Sequence, residues 1–155
     1  MDRTGETMTG NDTAEMTQGS GADFARARRA MIDSQLRTSG VNEEFALARM
    51  LAVPREDFLP EAKRPLAYID RSVVFEGGTL AAPLFYGKAL LEAVPAVDDR
   101  VLIVENGTGY FAALTGPLVA SVDTVSVEAA AAGDVTGSYS LILIDGAIEH
   151  LPDAL

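Results

Sequence analysis

Residues 101–113 read VLIVENGTGYFAA, an apolar run that ends in an acid and opens onto two glycines one residue apart. Gly107 and Gly109, followed by Ala112, satisfy G-x-G-x-x-A. A strand feeding a glycine turn and then a helix gathers free backbone N–H groups and a positive helix end at one spot, which suits a nucleotide-like ligand. Alone that pattern is weak. Glu128 strengthens it, lying 19 residues after Gly109 at the end of the next expected strand. A carboxylate there would face the hydroxyls of a bound ribose. Nicotinamide dinucleotides and S-adenosylmethionine both present such a ribose, so these residues do not choose between them, and a purely structural strand–turn–helix is the competing reading. The candidate cofactor contacts are Asn106, Gly107, Thr108, Gly109 and Glu128. No catalytic residue is assigned. Asp145 ends the run LILID, where it would either point into the crevice outside a parallel sheet or cap the turn at Gly146. His150 is the single imidazole, beside Pro152, and reads as a surface residue.

These residues need a scaffold, and the periodicity supplies one. Residues 1–22 are rich in Gly, Thr and polar groups with no apolar period, so a disordered tail is expected. From Asp23 the pattern becomes helical: Phe24, Ala27, Met31, Ile32 and Leu36 share a face, and Gly40 stops it. Asn42 is expected to cap a second helix through Leu51, closed by Val53-Pro54. A short helical stretch follows at Glu61 to Leu66, then a strand from Ser72 to Phe75 ended by Gly77-Gly78. Pro83 suits the first turn of a helix reaching Val94. Beyond it the alternation is α/β, with strands over Arg100 to Glu105, Thr124 to Glu128 and Leu141 to Asp145, and a helix over Gly109 to Leu118. Nearly continuous apolar strands separated by helices predict a parallel sheet covered on both faces. The organisation expected is a tail (1–22), a helical extension (23–70) and an α/β core (71–155).

Charge narrows the function. The net charge is −11, and all 12 Lys and Arg lie at or before Arg100. Residues 101–155 carry seven acids and no basic side chain. Nucleic-acid binding needs a basic face to displace counterions, so that class is improbable, as is a phosphate clamped by Lys or Arg in this half. Without cysteine and with one histidine, no zinc site is expected. No apolar run is long enough to span a bilayer, and a cytoplasmic location with no membrane partner follows as the default expectation.

Five stretches carry a family resemblance. RRAMIDSQLRTSGV (28–41), LAVPREDFLPEAKRPLAYID (51–70) and GGTLAAP (77–83) resemble the N-terminal part of the protein-L-isoaspartate O-methyltransferase family, as do VLIVENGTGYFAAL (101–114) and LILIDGAIEHLPDAL (141–155). The resemblance implies a Rossmann-like S-adenosylmethionine methyltransferase core with an N-terminal helical extension. It also implies S-adenosylmethionine as cofactor and methyl transfer to isoaspartyl carboxyls of damaged proteins or peptides. Departures accompany it. The position at which the family has a serine tied to catalysis is Ala81, and the positions of the family's loop acid and first loop glycine are Ile103 and Glu105. A side chain at a glycine position costs roughly 1–2 kcal/mol if the backbone there needs positive φ, and Glu105 would intrude toward the ligand. The stretch after Glu128 is short against the family pattern. Glu128 ends either the second strand of the fold or, through VSVEAAAAGD, the third, with Asp134 near the adenine. The core is therefore expected to be incomplete at its C-terminal end, and an exposed sheet edge there would favour strand addition or a homodimer. The functional expectations are a divergent methyltransferase with weakened cofactor binding or a non-catalytic interaction domain built on that fold.

Overall fold

A computed structural model describes residues 21–155, so the expected tail lies outside the described residues except for Gly21 and Ala22, which already belong to the first helix. That helix, α1 (21–31), widens into a π turn at Ile32–Leu36 and tightens into a 3-10 turn at Arg37–Ser39. Its buried side is Met31, Ile32 and Leu36, the face the sequence marks. Helix α2 (Glu44–Ala52) follows. Asn42 does not cap it: Glu43 holds the capping position without a side-chain bond, and the Asn42 amide reaches back 3.5 Å to the Arg37 carbonyl, which also accepts the Gly40 N–H that closes the tight turn. Two 3-10 turns, Arg55–Phe58 and Glu61–Leu66, lead to an antiparallel hairpin of β1 (Val73–Phe75) and β2 (Gly78–Leu80). The second of these strands, GTL, is too short and glycine-led to register as a strand in sequence.

Pro83 opens α3 (Pro83–Ala93) at its first turn, where a missing N–H costs nothing. Then come β3 (Arg100–Glu105), α4 (Tyr110–Thr115), β4 (Ser121–Ser126), α5 (Val127–Ala131) and β5 (Leu141–Ile144). The three strands form one parallel sheet in the order β4-β3-β5, with Val101 opposite both Val122 and Leu141. This is the parallel α/β core expected. The middle strand is buried from Val101 to Val104, which is why it is apolar without alternation. Alternate residues Val101 and Ile103 join a core with Leu90, Phe111 and Leu143, to which the extension adds Met31, Leu36 and Met50. Strand β4, reading SVDTVS, lies at the edge and is largely exposed.

One boundary differs from expectation in a way that matters. The strand over Thr124 to Glu128 instead spans Ser121–Ser126, and Glu128 stands in the first turn of α5. Ser126 causes the change: its hydroxyl accepts the Ala129 N–H at 3.1 Å, capping a helix that starts at Val127, one residue before the expected end of the strand.

Candidate functional site

The turn after β3 is organised by the side chain that looked out of place. The Glu105 carboxylate accepts the Gly109 N–H at 2.8 Å and so closes the start of α4. Among the described residues Val94 is the single non-glycine with positive φ, so the backbone at Glu105 does not need that conformation and the strain cost does not arise. The left-handed positions are Gly107 (φ 85°) and Gly109 (φ 74°). Thr108 faces the helix too, its hydroxyl accepting the Tyr110 N–H at 3.1 Å.

The β1–β2 hairpin lies directly on this turn. The Thr79 N–H donates to the Asn106 carbonyl at 3.0 Å. A Cβ on Gly107 would stand 2.8 Å from the Gly78 Cα and collide with the Gly77 carbonyl, so position 107 admits only glycine. Beside this contact, at the carboxyl ends of β3 and β4, is a hollow of about 290 Å³ walled by Gly77, Glu105, Asn106, Gly107, Ser126, Val127 and Glu128. Of the five candidate contacts, Asn106, Gly107 and Glu128 therefore meet at one cavity. Thr108 and Gly109 do not line it; they are spent on the start of α4. The walls offer carboxylates, a hydroxyl, an amide and open backbone, and no cation, a lining that accepts hydroxyl groups or a positive centre.

On the other side of β3, Asp145 follows β5, is 2% exposed, and hangs from the Val104 carbonyl by its own N–H at 2.8 Å. Both its carboxylate oxygens lie 3.0 Å from the Tyr86 hydroxyl, which in turn accepts the Ala81 N–H at 3.2 Å. Burial raises the Asp145 carboxyl to about 6; the Tyr86 hydrogen bond opposes the rise and the charge of Glu105 adds to it. The same burial, with the Asp145 charge, pushes the Tyr86 phenol well above its usual range, so it remains a donor.

Ala81 is held from behind as well. Arg55 is fully buried, donating through Nε to the Ala67 carbonyl at 2.6 Å and through Nη2 to the Ala81 carbonyl at 2.9 Å. Its guanidinium lies over the Tyr110 ring at 5.2 Å. The sequence marks neither Arg55 nor Tyr86 as a site residue: Pro54-Arg55 lies within the family-like stretch, whereas Tyr86 reads like any apolar residue of a buried helix. His150 is exposed and borders a separate apolar hollow of about 180 Å³ under α5.

A helix-flanked parallel sheet with a glycine turn on its central strand defines a Rossmann-like α/β protein. A solved protein-L-isoaspartate O-methyltransferase has the same fold, with a TM-score of 0.62 at 19% identity over 82% of this chain and 50% of that one. The family model described as protein-L-isoaspartate(D-aspartate) O-methyltransferase matches residues 26–133. The protein-L-isoaspartate O-methyltransferase of Koribacter versatilis (strain Ellin345) is 41% identical over 68% of this chain and 48% of its own length. That of Roseiflexus sp. (strain RS-1) is 40% identical over 71% and 50%. The chain belongs to the protein-L-isoaspartate(D-aspartate) O-methyltransferase family. It spans about half the length of the curated relatives it matches.

Proposed function

We propose that the hollow at the ends of β3 and β4 is an S-adenosylmethionine site of reduced affinity, and that this chain does not methylate isoaspartyl peptides at a useful rate. One observation carries the reading: Glu105 occupies the Gly109 N–H while the Gly107 turn and Glu128 still frame an open cavity. The residues fit the nucleoside portion of the cofactor. Glu128 and Ser126 offer acceptors for ribose hydroxyls, and the bare backbone at Gly107 permits close approach. When bound, the cofactor would supply an electrophilic methyl group on a sulfonium centre. The chain's own residues would have to orient an acceptor beside it, and here they are poorly equipped. Ala81 has no hydroxyl, and the Tyr86 hydroxyl beside it is buried and engaged by Asp145 and the Ala81 N–H. An isoaspartyl carboxylate would also approach Glu105 and Asp145 with like charge. Orientation can supply roughly 7–11 kcal/mol of a reaction barrier, and a site that does not fix its acceptor forfeits much of that.

A second reading rests on β4. Its polar, exposed edge and the exposed Val127, Ile148 and Leu151 suit an interaction domain that uses the sheet for contact with a partner or a second copy. The test has two arms. Calorimetric titration with S-adenosylmethionine should show weak, saturable heat, and labelled methyl transfer to an isoaspartyl peptide should match the aspartyl control. Selective turnover of the isoaspartyl peptide would restore the plain enzyme reading; no heat at all would favour the interaction domain.

A further inference from the structure

The sequence contains one Asn-Gly step, Asn106-Gly107, and the fold places it in the turn that lines the hollow. We infer that Asn106 is a self-modification site, converting spontaneously to isoaspartate through a succinimide formed with Gly107.

Cyclisation requires the backbone nitrogen of the following residue to reach the asparagine side-chain carbon. Three features allow it here. Gly107 is exposed and has no side chain to shield its nitrogen, and the close approach of Gly77 and Gly78 forbids any other residue at that position. The Gly107 N–H and the Asn106 side-chain amide have no hydrogen-bond partner among the described residues, so neither reacting group must first be released. The Thr79 N–H donates to the carbonyl of the reacting peptide, and a hydrogen bond there stabilises the amide anion that attacks.

The atoms balance without a cofactor. The Gly107 N–H gives its proton to solvent, its nitrogen bonds to the Asn106 Cγ, and the bond to Nδ2 breaks as that nitrogen takes a proton back from solvent and leaves as ammonia. Water then opens the ring. Cleavage between the Gly107 nitrogen and the Asn106 main-chain carbonyl carbon leaves a β-linked isoaspartate; cleavage at Cγ leaves aspartate. The β-linked product lengthens the turn and turns the carbonyl that receives the Thr79 N–H into a free carboxylate. A third acid then stands in the cavity beside Glu105 and Glu128.

The chain carries its own controls. Asn42 precedes Glu43 and has its amide engaged with the Arg37 carbonyl. Asp145 precedes Gly146, but its carboxylate is buried against Tyr86 and the Gly146 N–H donates to the Ile144 carbonyl at 3.1 Å. The experiment incubates the full chain at mildly alkaline pH and maps it over time by mass spectrometry, with fragmentation that separates β-linked from α-linked residues. A synthetic peptide spanning 101–113 runs alongside. The expected result is accumulation of β-linked product at 106 on the timescale of the peptide, while Asn42 and Asp145 remain intact and an Asn106→Gln chain does not change. If residue 106 of the folded chain stays an amide after the peptide has converted, or if Asn42 converts first, the inference is overturned.

Discussion

Glu105 shows how a single substitution can be sound for folding and adverse for binding. As the last residue of β3 it has ordinary extended backbone, and its carboxylate satisfies one of the orphan N–H groups at the start of α4. Replacing it with glutamine keeps an acceptor and removes the charge; replacing it with glycine removes both. Glu105→Gly should cost about 1 kcal/mol of stability, the worth of a lost cap, and should strengthen S-adenosylmethionine binding roughly tenfold, or about 1.4 kcal/mol. Glu105→Gln should fall between the two. Calorimetry on the three chains checks this, and equal affinities would show that Glu105 is irrelevant to the cavity. Asp145 makes a separate prediction. Its carboxyl titrates near 3.8 in a free chain and near 6 when folded, so between those values the unfolded state ionises first. Stability therefore falls as pH rises through that window, and above it the penalty is complete. Relative to Asp145→Asn, which keeps an acceptor for Tyr86 and cannot ionise, the native chain should lose on the order of 2–3 kcal/mol from below to above the window. Denaturation curves that run parallel at all pH values would contradict it.

Helix α4 is only six residues long and is held by its neighbours. Glu105 closes its start, and Arg49 of α2 reaches the Ala113 and Leu114 carbonyls near its end at 3.0 and 2.9 Å. A cation at a helix C-terminus satisfies carbonyls and complements the dipole together, so the extension anchors the element that carries the candidate site. The hairpin does the same from above through Thr79 and the Gly77–Gly78 contact. Gly107→Ala tests this packing. It places a methyl group against the hairpin backbone at a position with φ of 85°, and should destabilise by at least about 3 kcal/mol, the sum of overpacking and left-handed strain. Gly109→Ala, where nothing lies within 4 Å of the added carbon, carries the backbone strain alone and should cost less. Chemical denaturation of both variants separates the two terms; equal losses would mean that the hairpin yields.

Across the whole molecule, one core joins the extension to the sheet, so α1 and α2 do not form a separate unit. Within the extension, Arg28 ties α1 to the turns that follow α2, donating to the Tyr68 hydroxyl at 2.7 Å and pairing with Glu56 at 2.9 Å in a largely buried cluster. Among the described residues no helix is long and apolar enough to cross a membrane. Residues 1–20, by contrast, have a composition with no apolar period to offset the entropy of ordering. A chain beginning at Gly21 should melt within experimental error of the full chain and bind ligand equally. A loss of several degrees would show that the first segment packs on the domain.

Local pattern alone determined most of the elements. The apolar run at 101–104 is a parallel strand because a strand covered on both faces must be apolar throughout, the run at 141–144 pairs beside it, and Pro83 starts a helix because its ring cannot donate. The glycine turn and Glu128 could also be found by spacing, and they do share a cavity. Sequence could not fix how far β4 runs, since Ser126 had to be seen accepting the Ala129 N–H before the helix start was clear. Nor could it show that Glu105 bonds four residues ahead, that Gly77 and Gly78 press on Gly107, or that Asp145, Tyr86 and Ala81 form one hydrogen-bonded chain. Those contacts join segments whose proximity follows from the closing of the core around β3. Periodicity reports which face of an element is buried, but only tertiary packing decides which polar groups are buried together and must therefore satisfy one another.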